Sequence, residues 1–292
     1  MQNMYRALAV AALAGSASAQ SLDGSNLAAD AAANGLDLLA VQDTATQFGN
    51  SSGADQGAPF GSELNAAWGG ISNGMLNLSI AGNLEANFNK LWIFFDAVDG
   101  GFNQLPTDAG LVDGGFNEIN NLGVTFDSGF EADHGIRIEV GDGFFGLNQF
   151  DLLDVTAGSI ISGGGPAELP LSEGAGNFGT TVGWDNANGA GVSDSDAADP
   201  LSSDSGWEFA IDLAAFFGDA GLSEIKATAF VSNGGGDFVS NQVLGGVGGA
   251  DNLAGSPDFS QIDGDQFVTI VPAPASAALL GLSGVLAGRR RG

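Results

Sequence analysis

The chain has 292 residues, with 35 Asp and Glu against 7 Lys and Arg, a formal net charge of −28, one His and no Cys. The absence of Cys excludes disulfides, Cys-ligated zinc, iron–sulfur clusters and a thiol nucleophile. The negative charge disfavours nucleic-acid binding, which needs a basic surface, and the 44 % of hydrophobic residues, including 20 Phe, disfavours disorder.

The N-terminus has the pattern of a secretory signal peptide. A short region containing Arg6 precedes an apolar run from Ala7 to Gly15, and a small-x-small end at Ala17 and Ala19 follows. The apolar run is too short for a transmembrane anchor. We therefore predict that residues 1–19 are a signal peptide, cleaved after Ala19.

The body, residues 20–271, is predicted to consist of short strands separated by Gly, Asn and Asp turns. Hydrophobic and polar residues alternate in segments 76–80, 136–140 and 207–213, which is typical of strands with one wet face. The run Leu91–Phe95 is apolar throughout, which indicates a central strand covered on both faces. Further strands are predicted at 225–231 and 267–271, and only short helical turns at 28–33 and 213–217. The predicted fold is an all-β antiparallel β-sandwich, entered through a loose segment at 20–35.

Two acidic segments that contain glycine, 94–103 and 125–134, contribute oxygen-bearing side chains at adjacent loops. Because hard cations take about six to eight oxygen ligands, these residues are a candidate calcium site, and no other cofactor is predicted. The alternative is turn chemistry, in which Asp and Asn bond to their own backbone. The candidate ligands are Asp96, Asp99, Asn103, Asp127, Glu131 and Asp133.

The four tryptophans divide into two groups. Trp92 and Trp207 lie within apolar strand patterns and are predicted to be core. Trp184 lies in a turn-rich context and Trp68 beside two glycines, so these two are candidate exposed platforms on which sugars stack. No catalytic residue is predicted: His134 would have to serve as the base of any Ser–His–Asp triad, and among 35 acids no carboxylate pair stands out for glycoside hydrolysis.

The C-terminus, residues 272–292, combines three features. Pro272 and Pro274 precede a short apolar stretch at 275–288, and Arg289, Arg290 and Arg291 follow it. The stretch is shorter than the about 20 residues that span a bilayer unaided, and the arginines mark the cytoplasmic side. This arrangement resembles the PEP-CTERM sorting signal of Gram-negative bacteria, with an alanine in place of the family's Glu.

That resemblance implies a short hydrophobic sorting helix held in the inner membrane. It further implies processing by an exosortase-type transpeptidase and delivery to the cell envelope or extracellular matrix. The alternative is an ordinary single-pass tail anchor, which also places the body outside the cytoplasmic membrane. Without both ends, the body keeps three Lys and Arg against 35 acids, a formal charge of −32. Such a body attracts divalent cations or is adapted to high salt.

The body itself is similar to a group of secreted bacterial surface proteins over segments 62–105, 122–140, 206–218, 225–247 and 264–270. The resemblance implies a jelly-roll-like sandwich related to DOMON and family-nine carbohydrate-binding modules. We therefore predict an exported, exosortase-sorted surface or matrix protein of structural or interaction type that is not an enzyme. The alternatives are a carbohydrate-binding module assisted by calcium and, more remotely, a glycoside hydrolase. The predicted partners are the export machinery, the transpeptidase, the inner membrane before processing and envelope or matrix polysaccharide, with no nucleic acid.

Overall fold

A computed structural model describes residues 22–48, 61–107, 110–111, 117–141, 144–154, 158–163, 179–187 and 199–273. The predicted signal peptide, with Ala17 and Ala19, lies outside these residues. The same holds for the predicted sorting residues Pro274 and 289–291, whereas Pro272 lies beside the strand that contains Ile71. Within the described ranges, no helix has the length and apolar character needed to cross a membrane.

Twelve strands and three short α-helices make up the described part of the chain. The helices are α1 (Leu27–Asn34), α2 (Ile119–Leu122) and α3 (Leu213–Phe217), and two 3-10 turns lie at Pro200–Ser202 and Phe259–Gln261. The strands are β1 (Asp37–Val41), β2 (Glu63–Ser72), β3 (Met75–Asn83), β4 (Lys90–Asp96), β5 (His134–Gly141), β6 (Phe144–Asp151), β7 (Gly158–Gly163), β8 (Thr180–Trp184), β9 (Gly206–Asp212), β10 (Ile225–Ser232), β11 (Val239–Val243) and β12 (Val268–Ile270).

The strands form two antiparallel sheets. The smaller sheet has the order β1-β2-β3-β9-β8, and the larger has the order β11-β10-β4-β5-β6-β7 with β12 paired to β10. The main core contains Leu78 and Phe209 from the smaller sheet together with Ile93 and Ile138 from the larger. Because the inner faces of both sheets contribute to one core, the predicted all-β antiparallel sandwich is confirmed.

The apolar run at 91–95 lies in β4 and is buried on both faces of the larger sheet, as its pattern predicted. Its odd-numbered residues belong to the main core, whereas Trp92 and Phe94 belong to a second core on the opposite face of the larger sheet. That second core includes Phe126 and Phe259 from the loops that cover the face. A strand buried on both faces does not show alternation of hydrophobic and polar residues, since each of its side chains leaves water on folding.

The N-terminal segment contains the helical turn predicted at 28–33, as part of α1, but it is not loose. Residues 20–35 were expected to be loose, but α1 packs on the outer face of the smaller sheet. Leu27 and Ala31, one helical turn apart, are fully buried beside Ala66, Trp68 and Ala81. The outer face of β2 and β3 is apolar at these positions, so burying it against a helix removes hydrophobic surface from water.

Candidate functional site

The structure brings the two predicted acidic segments together. Phe102 and Ala132 form an antiparallel bridge, with a hydrogen bond of 2.9 Å in each direction. A second bridge joins Gln104 to Thr125. The expectation that these loops are neighbours is therefore confirmed. One loop follows β4 and the other precedes β5, and because the two strands are antiparallel partners, both loops lie at the same end of the strands.

Asp133 is fully buried, and protein groups engage both of its carboxylate oxygens. Oδ2 accepts hydrogen bonds from the backbone N–H of Ala97 at 2.6 Å and of Val98 at 2.7 Å. Oδ1 lies 2.8 Å from Nδ1 of His134. The carboxylate thereby holds the turn after β4 and the start of β5 together. These contacts join segments distant in sequence, so they differ from the local bonds of the turn alternative.

Two other predicted ligands, Asn103 and Asp96, are also engaged by protein groups. The Asn103 amide donates to the carbonyl oxygens of Asp127 and Phe130, at 2.9 and 3.0 Å. Asp96 forms an ion pair of 3.0 Å with Lys226 and accepts a longer hydrogen bond from the Glu131 backbone. Asp99 and Glu131 are exposed.

Asp127 is a predicted ligand whose pKa is raised in the folded chain. Its side chain is buried, and Oδ2 accepts a hydrogen bond of 2.6 Å from the backbone N–H of Gln266. Burial raises the pKa of Asp127, the Gln266 hydrogen bond opposes that rise, and the charges of Asp265 and Asp258 add to it. Among the described residues, no three carboxylates of the predicted set lie within 4.8 Å of one another. Calcium binding by this set stays a prediction.

The two predicted aromatic platforms are not exposed. Trp184 is 2 % exposed, belongs to the main core and lies 4.8 Å from the ring of Phe145. Trp68 is also buried, in the small core beneath α1. The prediction that Trp184 is exposed is wrong. Alternate residues of a strand share a face, so Trp184 points into the core together with Val182, although turn residues follow it directly. Trp92 and Trp207 are fully buried, as predicted.

The one histidine is part of the packing between the sheets. His134 is 4 % exposed, and its ring lies 5.2 Å from the rings of both Phe216 and Phe217 on α3. Its Nδ1 faces Asp133, which orients the imidazole. This environment holds His134 in one place in the core.

The three cationic side chains of the body are all used in internal ion pairs. Lys90, itself buried, lies 3.1 Å from Glu139. Arg137, fully buried, pairs with Glu118 at 2.9 Å and with Glu139 at 3.3 Å, and its guanidinium lies over the Trp92 ring. Since Lys226 pairs with Asp96, no cation of the described body is left to offset the exposed acids.

A further acidic group was missed by the sequence prediction. One carboxylate oxygen from each of Asp23, Asp30 and Glu208 lies within 4.8 Å of the other two, and we call these residues the acidic triad. Glu208 Oε2 accepts hydrogen bonds from the backbone N–H of Asp23 at 3.0 Å and of Gly24 at 2.9 Å. The only sequence signal was a Glu on an alternating strand, and its partners lie more than 170 residues earlier in the chain.

The chain was compared with protein-family models, with curated proteins and with solved structures, and none of the three comparisons found a match. The resemblance to sorted surface proteins therefore rests on the sequence motifs themselves.

Proposed function

We propose that this chain is an exported component of the cell surface or extracellular matrix, and that its acidic β-sandwich interacts with that matrix without catalysis. The observation that carries the proposal is the internal pairing of Lys90, Arg137 and Lys226. The exterior of the body is therefore anionic, and a formal charge of −32 is offset only by ions from solution.

An anionic exterior favours some partners over others. It repels nucleic acid, anionic lipid and acidic polymers in the absence of a bridging cation, and it attracts divalent cations, which can bridge two polyanions. Neutral glycans would need a different recognition surface, typically an exposed aromatic ring. Because Trp184 and Trp68 are buried, the carbohydrate-module alternative loses the two residues on which it was based.

The sequence signals at the two ends support the location. A cleavable leader at 1–19 and a Pro-x-Pro, apolar and Arg-cluster tail at 272–292 together imply export and then processing at the membrane. Leader cleavage would remove the segment before the sandwich, and processing of the tail would act on the segment after it.

The test is fractionation of a Gram-negative host that carries an exosortase-type transpeptidase and expresses the chain with an internal epitope. We expect a form shortened at both ends in the envelope or the medium. Replacing Arg289, Arg290 and Arg291 by Ala should leave the leader cleaved but the tail unprocessed. The matched control replaces three acids of the body, Asp219, Asp251 and Asp263, by Asn and should be sorted normally. Accumulation of the full-length chain in the cytoplasm would refute the proposal.

A further inference from the structure

The acidic triad lies between the N-terminal segment and the outer face of the smaller sheet. Glu208 is fully buried on β9, Asp30 is half-buried in the first turn of α1, and Asp23 is exposed. The N-terminal segment crosses β8 closely here, since a Cβ atom at Gly183 would lie 2.2 Å from the backbone of Leu22. The triad is thus enclosed on the protein side and open to solvent at Asp23.

The triad concentrates negative charge at one place on the smaller sheet. Asp204 adds to it, because burial and then the charges of Asp23 and Asp204 raise the pKa of Asp30. The three cations of the described body are all paired elsewhere. Carboxylates this close repel one another, and a bound cation relieves that repulsion.

Ser79 provides a second, independent observation that points to a ligand. Its side chain is fully buried, and its hydroxyl has no hydrogen-bond partner in the described part of the chain. In the register of β3 and β9, Ser79 lies directly opposite Glu208. Directly opposed residues of antiparallel strands share a face, with Cβ atoms about 4.5–5.5 Å apart. The Ser79 and Glu208 side chains are therefore neighbours on the outer face of the smaller sheet, and a buried hydroxyl without a partner is a costly feature to keep.

We propose that Asp23, Asp30, Glu208 and Ser79 bind a calcium ion. All four offer oxygen, which hard cations prefer, and the open side at Asp23 leaves room for the water ligands that complete a shell of about six to eight. Magnesium fits less well, because it demands near-octahedral geometry at shorter distances. This site is separate from the predicted calcium ligands at 96–133, and it stands whether or not the chain is exported.

The bound ion would fasten the N-terminal segment to the sheet. Asp23 and Asp30 flank the start of α1, and Glu208 belongs to β9, so one ion would join two segments distant in sequence. The helix that it fastens covers Trp68. Removal of calcium would therefore loosen α1 before the sandwich itself.

The experiment is thermal unfolding and calorimetric titration of the purified full-length chain with calcium chloride. Magnesium chloride and sodium chloride serve as arms of matched ionic strength. Extracellular calcium sites have Kd values of about 10⁻⁴–10⁻³ M, so about 10 mM calcium should raise the Tm by about 3–5 °C more than the other salts do. Asp30→Asn should weaken calcium binding by at least about tenfold. Asp263→Asn, which removes one exposed carboxylate elsewhere, should bind as the unaltered chain does.

Ser79→Ala separates coordination from a general effect of charge. Without calcium, this variant should melt at the same temperature as the unaltered chain or higher, because it loses a buried hydroxyl that has no partner. With calcium, it should bind about tenfold more weakly. The proposal is overturned if calcium acts no differently from sodium at equal ionic strength. It is also overturned if Asp30→Asn and Ser79→Ala both keep the full calcium shift, because the ion would then bind elsewhere.

Discussion

Replacing Glu63 by Gln should change how the stability of the protein depends on pH. Glu63 is the first residue of β2 and is fully buried, and burial raises its pKa from 4.5 to about 9. At neutral pH the folded chain therefore keeps this carboxyl protonated, whereas the unfolded chain releases the proton above about pH 4.5. Between pH 4.5 and about pH 9, folding of the chain is therefore accompanied by the uptake of one proton.

The sign and size of the effect follow from that uptake. The group's contribution to stability is fully present below pH 4.5 and is lost as pH rises toward about 9, at about 1.4 kcal/mol of unfolding free energy per pH unit. Gln does not titrate and has the same shape. The unfolding free energy of Glu63→Gln minus that of the unaltered chain should thus grow by about 3 kcal/mol between about pH 5.5 and about pH 7.5.

The assay is urea unfolding followed by tryptophan fluorescence, because Trp68, Trp92, Trp184 and Trp207 are all buried. Glu224→Gln is the control, since it is the same chemical change at an exposed carboxyl. Parallel pH profiles for Glu63→Gln and the unaltered chain would show that the Glu63 carboxyl is not held protonated, and would refute the argument.

Three other substitutions test the structural roles assigned above. Asp133→Asn should cost about 1–3 kcal/mol in urea unfolding, because it leaves His134 or the backbone amides after β4 without their acceptor; an unchanged midpoint would contradict that role. Trp184→Ala should cost about 3–5 kcal/mol by opening a cavity between the sheets, and a smaller loss, below about 1 kcal/mol, would place the ring at the surface. Gly24→Ala should detach the N-terminal segment, because φ there is +76° and a Cβ atom would lie 2.2 Å from the Asp185 nitrogen. Limited proteolysis should then cut before β1 while the sandwich survives, and equal resistance to protease would count against the close packing of that segment.

The prediction of strands succeeded where one local cause controlled the pattern. The predicted segments 76–80 and 136–140 lie in β3 and β5, and segment 207–213 lies in β9 except for its last residue, which begins α3. The face packed against the other sheet is apolar in all three, as the pattern predicts. The predicted wet face is wrong, because polar residues of the opposite face, Ser79, Arg137 and Glu208, are fully buried. The continuous run at 91–95 was equally informative, since burial on both faces removes the alternation. These signals depend on neighbours within a few residues and on water, so they can be read along the chain.

The prediction of the site succeeded less well, because side-chain roles depend on contacts distant in sequence. Trp184 was expected to be exposed from the turn residues that follow it, but its place on the inward face of β8 decided its burial. The loops that carry the acids at 96–133 do meet, yet Asp133 accepts from backbone amides and Asp96 pairs with Lys226. Neither partner can be assigned from the spacing of the acids.

The sequence by itself determined the strands with a clear apolar pattern, the two-sided burial of β4 and the excess of acid over base, because composition and local periodicity carry that information. Export and sorting, read from the patterns at the two ends, stay predictions. Only the tertiary structure decided which acids meet. The acidic triad joins Asp23 and Asp30 to Glu208 because strand pairing sets Glu208 opposite Ser79 and the N-terminal segment folds back across β8 and β9. The register of the sheet and the path of that segment are properties of the whole chain, and no local pattern encodes them.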